Sequence, residues 1–248
     1  MTRSETRIRL FGGFEFRRDG AVVDLPLSVH RLLGFLALND RPLPRTYVAD
    51  CLWPDTEEEK AHANLRTALW RLQPLHRDVL IVTPVELSLD PAVWVDARTL
   101  YEVARQYRST GTLPDPDMLL QIRGELLPGC WDSWLVFDRE RLRQEAVQVL
   151  ESTSRACLRR GDVHLATLLG LGAVECDPLR ESANLLVVRV RLIAGDRVGA
   201  IRHARRFTAL LKDELGVPPP SPLAELLCSH RSPREMKSPA PVLAPVAG

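Results

Sequence analysis

A four-residue pattern that returns after 34 positions constrains this chain more than any other feature of its 248 residues. Leu158, Gly161, Asp162 and Ala166 recur as Leu192, Gly195, Asp196 and Ala200, and Ala173 is matched by Phe207. In each copy the glycine ends one helix and the alanine lets the next pack closely. A helix pair of this length cannot bury its apolar face alone, so neighbouring copies must stack. The pattern predicts a repeat-built, all-α region.

The surrounding sequence agrees. From Val95 onward the chain carries long helical patterns: Leu100, Val103, Ala104 and Tyr107 mark one helix, Met118 to Leu126 another, and Trp134 to Arg160 a long one stopped by Gly161. The block Lys212-Asp213-Glu214-Leu215-Gly216 before Pro218 to Pro220 ends the last repeat helix, and Leu223 to Cys228 adds a short capping helix. A period of 34 is that of tetratricopeptide arrays, so residues 96–228 are expected to form a tetratricopeptide-like helical domain. Residues 229–248, with four prolines in the run RSPREMKSPAPVLAPVAG, are expected to be a disordered, slightly basic tail.

Residues 1–95 have a different texture. Ile8, Leu10, Phe14, Phe16, Val22, Val23 and Leu25 alternate around Gly12-Gly13 and Asp19-Gly20, which predicts two or three short antiparallel strands. Ser28 is positioned to cap an apolar helix through Leu32, Leu33, Phe35, Leu36 and Leu38. A short helix over Thr46 to Trp53 stops at Pro54, and Thr56-x-x-Glu59 is the spacing of a capping box for a third helix. Ala61, Leu65, Ala68, Leu69 and Leu72 give that helix one buried stripe, while Lys60, Asn64, Thr67 and Arg71 line the opposite face, flanked by Arg66 and Trp70. Two β-prone runs, Val79 to Thr83 and Val85 to Leu89, then form a hairpin. Strands, three helices and a hairpin in that order are a winged helix-turn-helix, whose third helix fits a major groove. The fold class is therefore mainly α: an α+β winged helix-turn-helix followed by an all-α helical domain.

Charge hides this reading until its arrangement is considered. Thirty-three basic against 32 acidic residues leave +1, and residues 1–95 hold 12 basic and 13 acidic side chains, a balance that also suits a protein-interaction adaptor. A phosphate backbone senses the local field within about 10 Å. Acids gather between Asp50 and Glu59, whereas Lys60 to Arg77 carries four basic side chains and no acid. No apolar stretch approaches the ~20 residues of a bilayer span, and the N-terminus lacks the apolar core of a signal peptide. Five cysteines without C-x-x-C spacing read as reduced core thiols, and a cytoplasmic location follows.

Four blocks, NLRTALWRLQ at Asn64 to Gln73, GELLPGCWDSWLVFDRERLR at Gly124 to Arg143, CDPLRESA at Cys176 to Ala183 and DELGVPPPSPLAELL at Asp213 to Leu227, resemble the Streptomyces antibiotic regulatory protein family. The likeness runs from Arg7 to about Cys228. It implies an OmpR-type winged helix joined to a bacterial transcriptional activator domain. It also implies an activator of secondary-metabolite genes that binds promoter direct repeats as double-stranded DNA, contacts RNA polymerase holoenzyme, forms a homodimer, and needs no cofactor, metal or membrane. Carried over by position, the recognition helix is Lys60 through Arg71, with Lys60, Asn64, Arg66, Thr67, Trp70 and Arg71 facing the duplex and Arg45 and Trp53 placed for phosphate. Gln73 and Pro74 stand where basic residues are common, and Pro84-Val85-Glu86 replaces a glycine turn, which implies a short wing.

Bland readings remain beside these. Trp53 and Trp70 also suit core positions, and Arg66 could pair with Glu58 or Glu59. Gly170-Leu171-Gly172 lacks the third glycine and the preceding strand of a dinucleotide loop. The six histidines have no metal-ligand spacing, and Asp138 to Glu145 reads as a salt-bridged helix face. No nucleophile, base and oxyanion set emerges, so no enzyme is expected.

Overall fold

The computed structural model describes residues 4–75 and 78–229. The tail expected at 229–248 lies, beyond residue 229, outside the described residues, as do His76 and Arg77. Three antiparallel strands open the chain, β1 (Thr6–Arg9), β2 (Glu15–Arg18) and β3 (Ala21–Val22). The Asp19-Gly20 turn places both residues at positive φ, 50° and 82°, as a tight hairpin between right-twisted strands requires. Then follow α1 (Leu27–Leu38), β4 (Leu43–Pro44), α2 (Arg45–Leu52), α3 (Glu58–Leu72), β5 (Leu80–Val82), β6 (Glu86–Leu89) and β7 (Trp94–Val95). β7 returns to pair parallel to β1, a fourth strand that alternation did not reveal, giving the order β3-β2-β1-β7. The hairpin expected after the third helix forms as β5 and β6, with β4 added on the other side of β6.

The helix starts differ from expectation. Ser28 is not a cap: α1 begins at Leu27 with extended Pro26 as its N-cap, and the Ser28 hydroxyl instead accepts from Arg71 Nη1 at 3.3 Å. Nor does the Thr56/Glu59 capping box form. The Thr56 amide is turned back onto the Trp53 carbonyl at 3.2 Å, so α3 begins later, with Glu57 as its N-cap. Glu58 and Glu59 still complement the positive end of the helix dipole.

From Asp96 the chain is helical: α4 (Asp96–Thr110), α5 (Pro116–Leu119), a 3-10 turn Ser133–Leu135, α6 (Val136–Arg159), α7 (Val163–Cys176), α8 (Glu181–Ile193), α9 (Arg197–Leu215) and α10 (Ser221–Ser229). The helix expected over Met118 to Leu126 is mostly absent. Leu119, Ile122 and Leu126 are buried at spacings a helix would also use. Beyond Leu119, however, the backbone crosses the end of β1: Gly12 N–H donates to Glu125 O at 2.8 Å, Leu127 N–H to Leu10 O at 2.9 Å, and Phe11 bridges Leu126. Gly12 and Gly124 permit this crossing, because a Cβ on Gly12 would lie 3.1 Å from the Arg123 carbonyl.

The repeat is realised as read. Gly161 and Gly195 take φ of 84° and 77°, and Ala166 and Ala200 are fully buried. The aspartate in each copy is the N-cap of the next helix: Asp162 accepts the Leu165 amide at 3.0 Å and Asp196 the Gly199 amide at 2.8 Å. Gly170 and Gly172 lie inside α7; a Cβ on Gly170 would press 3.2 Å from Val187, so they serve close helix packing. Burial pushes the Cys176 thiol up to about 12, as an inert core thiol requires. Cys228 departs from the core role expected of it and is exposed on the outermost helix.

One apolar cluster runs from Ile8 to Val190 and continues across residue 95. Polar side chains lock the same junction. Arg98 donates to the carbonyls of Leu36, Ala37 and Asn39 at 2.9 to 3.1 Å, satisfying the orphan acceptors where α1 ends. Arg139 does the same for Leu126, Leu127 and Cys130, and Arg143 pairs with Asp177, so Asp138 to Glu145 ties elements together rather than only facing water. Among the described residues no helix is long and apolar enough to cross a membrane.

Candidate nucleic-acid interface

The amphipathicity of α3 decides what it offers. Ala61, Leu65, Ala68 and Leu72 are buried and Leu69 half-buried, against α1 and α2. The outward face therefore carries Lys60, Arg66, Thr67, Trp70 and Arg71, all exposed, with Asn64 half-buried at its margin. Trp70 is 70% exposed, which removes the core reading of this side chain. Arg66 has no ion pair among the described residues, so the bridge to Glu58 or Glu59 is not made. Thr67 donates its hydroxyl proton to the Ala63 carbonyl at 2.9 Å, leaving the oxygen's acceptor capacity outward.

Arg45 and Trp53 occupy different ground. Arg45 begins α2 and is half-buried; its amide donates to Val85 O at 2.9 Å and its Nη1 to Thr83 O at 3.3 Å. Those bonds fasten α2 to the hairpin turn. Trp53, the C-cap of α2, is half-buried and packs on the apolar cluster. Sequence reasoning missed the tie from Arg45 to the turn, because its partner carbonyl lies 38 residues away.

The wing is short and glycine-free. The Thr83 amide donates to Glu86 O at 3.0 Å, and the Thr83 hydroxyl oxygen accepts the Glu86 amide at 2.9 Å, closing the turn around Pro84 and Val85. Val85 at its tip is 70% exposed. Three glutamates stand at the start of α3, so its electrostatic polarity is uneven: negative at Glu57 to Glu59, positive from Arg66 to Arg71.

One concave site away from α3 is chemically quenched. A cavity of about 940 Å³ beside the N-terminal sheet gathers Arg7, Arg17 and Arg123, but each is paired, with Glu5, Glu15 and Glu175 respectively. Among the described residues no group of three or more His, Cys, Asp or Glu side chains is placed to hold a metal ion.

Residues 119–228 match the family model described as bacterial transcriptional activator domain. The fold is similar to that of Mycobacterium tuberculosis EmbR, solved in complex with a low affinity phosphopeptide, at a TM-score of 0.60 over 96% of this chain and 67% of that one, with 18% identity. No curated protein matches the chain. The family match takes in 110 of the chain's 248 residues, and the likeness to EmbR is one of fold.

Proposed function

We propose that the chain is a sequence-specific activator whose α3 lies in the major groove of promoter DNA. Lys60, Asn64, Arg66, Thr67 and Arg71 meet base edges and phosphates, Trp70 stacks along the groove wall, and Arg45 and Trp53 sit toward the backbone. The observation that carries the reading is Trp70, a large aromatic left 70% exposed beside the unpaired Arg66 on the helix that follows the turn. The glutamates at the start of α3 repel phosphate there, so the Arg66 to Arg71 end makes the closer approach. Two copies bind direct repeats on one face of the duplex, about 10 to 11 base pairs apart. The helical half reaches RNA polymerase holoenzyme, and Trp131 and Phe137, both 86% exposed, supply an apolar surface suited to protein contact. The regulated genes are those of secondary metabolism, and the protein works in the cytoplasm, within the nucleoid.

Footprinting on the DNA upstream of its own neighbouring genes tests the reading, because site, spacing and stoichiometry are read together. Arg66→Ala and Arg71→Ala should each lower the slope of log K against log salt by about 1. Unchanged binding by both variants across salt overturns the assignment of α3. The adaptor reading predicts instead no protected DNA and a peptide partner that co-purifies.

A further inference from the structure

A cleft of about 530 Å³ opens where the two halves of the chain meet. One side is Phe14, between β1 and β2, with His30 and Arg31 of α1; the other is Leu127, Trp131 and Trp134, on the stretch through the 3-10 turn. Its size is that of a small-molecule site, and its walls are aromatic. Phe14 and His30 stack with centroids 4.3 Å apart and planes inclined by 22°, and Trp134 is fixed by the edge-on contact with Phe35 at 5.2 Å. Trp131 keeps its ring 86% exposed. Four flat rings around one cleft suit a flat guest.

The charges at this cleft are spent on each other. Arg31 donates from Nε to Asp132 at 2.9 Å and from Nη2 to the Leu52 carbonyl at 2.6 Å, and the same carboxylate cancels its charge. The Cys130 thiol donates to Asp132 Oδ2 at 3.1 Å. His30 differs, because neither of its ring nitrogens has a hydrogen-bond partner among the described residues. Burial lowers its pKa against the pull of Asp24, so at pH 7 the imidazole is neutral and offers one N–H and one lone pair. A second donor, the Trp134 Nε1–H, is enclosed and likewise lacks an acceptor. Unmet donors beside cancelled charge favour a guest that brings an oxygen but no net charge.

The backbone of the cleft is held in a conformation that only its surroundings can maintain. Leu127 has a φ of 45°, in the left-handed region that a leucine rarely adopts. Its amide donates to Leu10 O at 2.9 Å, and its carbonyl accepts from Arg139 Nη2 at 2.9 Å and from the Cys130 amide at 3.1 Å. Gly34 lets it sit close on α1, since a Cβ there would lie 3.2 Å from Leu127 Cδ1. Strain fixed in this way gathers at ligand clamps. We propose that the cleft binds an uncharged planar aromatic molecule bearing a carbonyl oxygen, with its ring facing the indoles and the Phe14–His30 pair and its oxygen accepting the His30 N–H. This binding is independent of how α3 meets DNA, and its test uses neither DNA nor polymerase.

Flavone, a neutral planar ketone, is the probe, and equilibrium dialysis against the full chain is the measurement. Wild type should bind one flavone per chain with a Kd on the order of 10 µM, and the unfolding midpoint should rise with flavone concentration. Trp131→Ala removes a ring that lies outside the core, and His30→Phe keeps the stack on Phe14 without the N–H. Each should weaken flavone binding about tenfold. The unfolding midpoint of each variant without flavone shows whether it is folded; should His30→Phe not fold, Trp131→Ala decides. Absence of saturable binding by wild type overturns the proposal, as does wild-type affinity in either folded variant. Binding of several flavones per chain, with no effect of either substitution, would make flavone a general ligand of exposed apolar surface and overturns it too.

Discussion

The carboxylate of Asp96, fully buried at the start of α4, accepts the Leu10 amide through both oxygens, at 3.0 and 2.9 Å. It also takes the amides of Phe11 at 3.0 Å and Ala97 at 2.7 Å, so one side chain ends β1 and begins the helical half. Burial pushes its carboxyl up to about 6 from an ordinary 3.8, against the pull of those amides. Between these values the folded chain holds a proton that the unfolded chain releases, so this group adds stability as pH falls through 6. Asp96→Asn should destabilise the fold by ~2 kcal/mol at pH 7, since an amide offers these donors one acceptor and a misplaced N–H₂. In urea denaturation, the gap between wild type and variant should widen from pH 7 to pH 5.

His203 should give the opposite slope. Its Nε2 lies 3.0 Å from Asn184 Oδ1, and the Asn184 amide nitrogen donates to Pro178 O and Arg180 O, so the neutral imidazole is the donor. With its pKa at about 4 rather than 6.5, the unfolded chain binds the proton that the folded chain refuses. Stability from this group is full above 6.5 and is lost as pH falls toward 4. His203→Gln, which keeps a donor without the titration, should flatten that loss in denaturation series at pH 7, 5.5 and 4.5.

The repeat's aspartates offer a matched pair of tests. Asp162→Ala should cost about 1 kcal/mol, the worth of an N-cap, and its asparagine variant only a few tenths, with Asp196→Ala and Asp196→Asn falling in the same order. Asp196→Ala should cost somewhat more, because Arg191 also loses its partner. Thermal unfolding of the four variants checks the order. Equal losses for alanine and asparagine would mean that charge, not capping, is what these residues supply.

The two tryptophans near α3 should separate function from stability. Trp70→Ala removes an exposed ring and should leave unfolding free energy within ~0.5 kcal/mol of wild type. It should nonetheless weaken promoter binding about tenfold, ~1.4 kcal/mol. Trp53→Ala, half-buried against the apolar cluster, should lower stability by ~2 kcal/mol. Paired denaturation and mobility-shift titrations read both quantities on the same preparations.

How much of this was legible depends on how local the cause is. Gly161, Asp162 and their copies are local punctuation, so the repeat could be read from spacing. The segment after Leu119 could not, because Ile122 and Leu126 keep helical spacing while the backbone of Glu125 and Leu127 bonds to Gly12 and Leu10, more than 100 residues earlier. Ser28 and Thr56 have the chemistry of caps, but Pro26 and the turn at Trp53 shift each helix start. For the candidate site, the buried stripe of α3 was legible except for Leu69. The side on which Trp70 falls was not, since it stands at the margin of the stripe and only packing decides margins.

The apolar cluster that passes unbroken from Ile8 to Val190, reinforced by Arg98 and by Phe35 packed edge-on to Trp134 at 5.2 Å, has a mechanical meaning. It makes α3 and the helices α4 and α6 to α8 one lever rather than two bodies on a tether. On the function proposed above, a protein that grips α6 to α8 would turn α3 by the same motion, and DNA that seats α3 would aim those helices at whatever stands beside it.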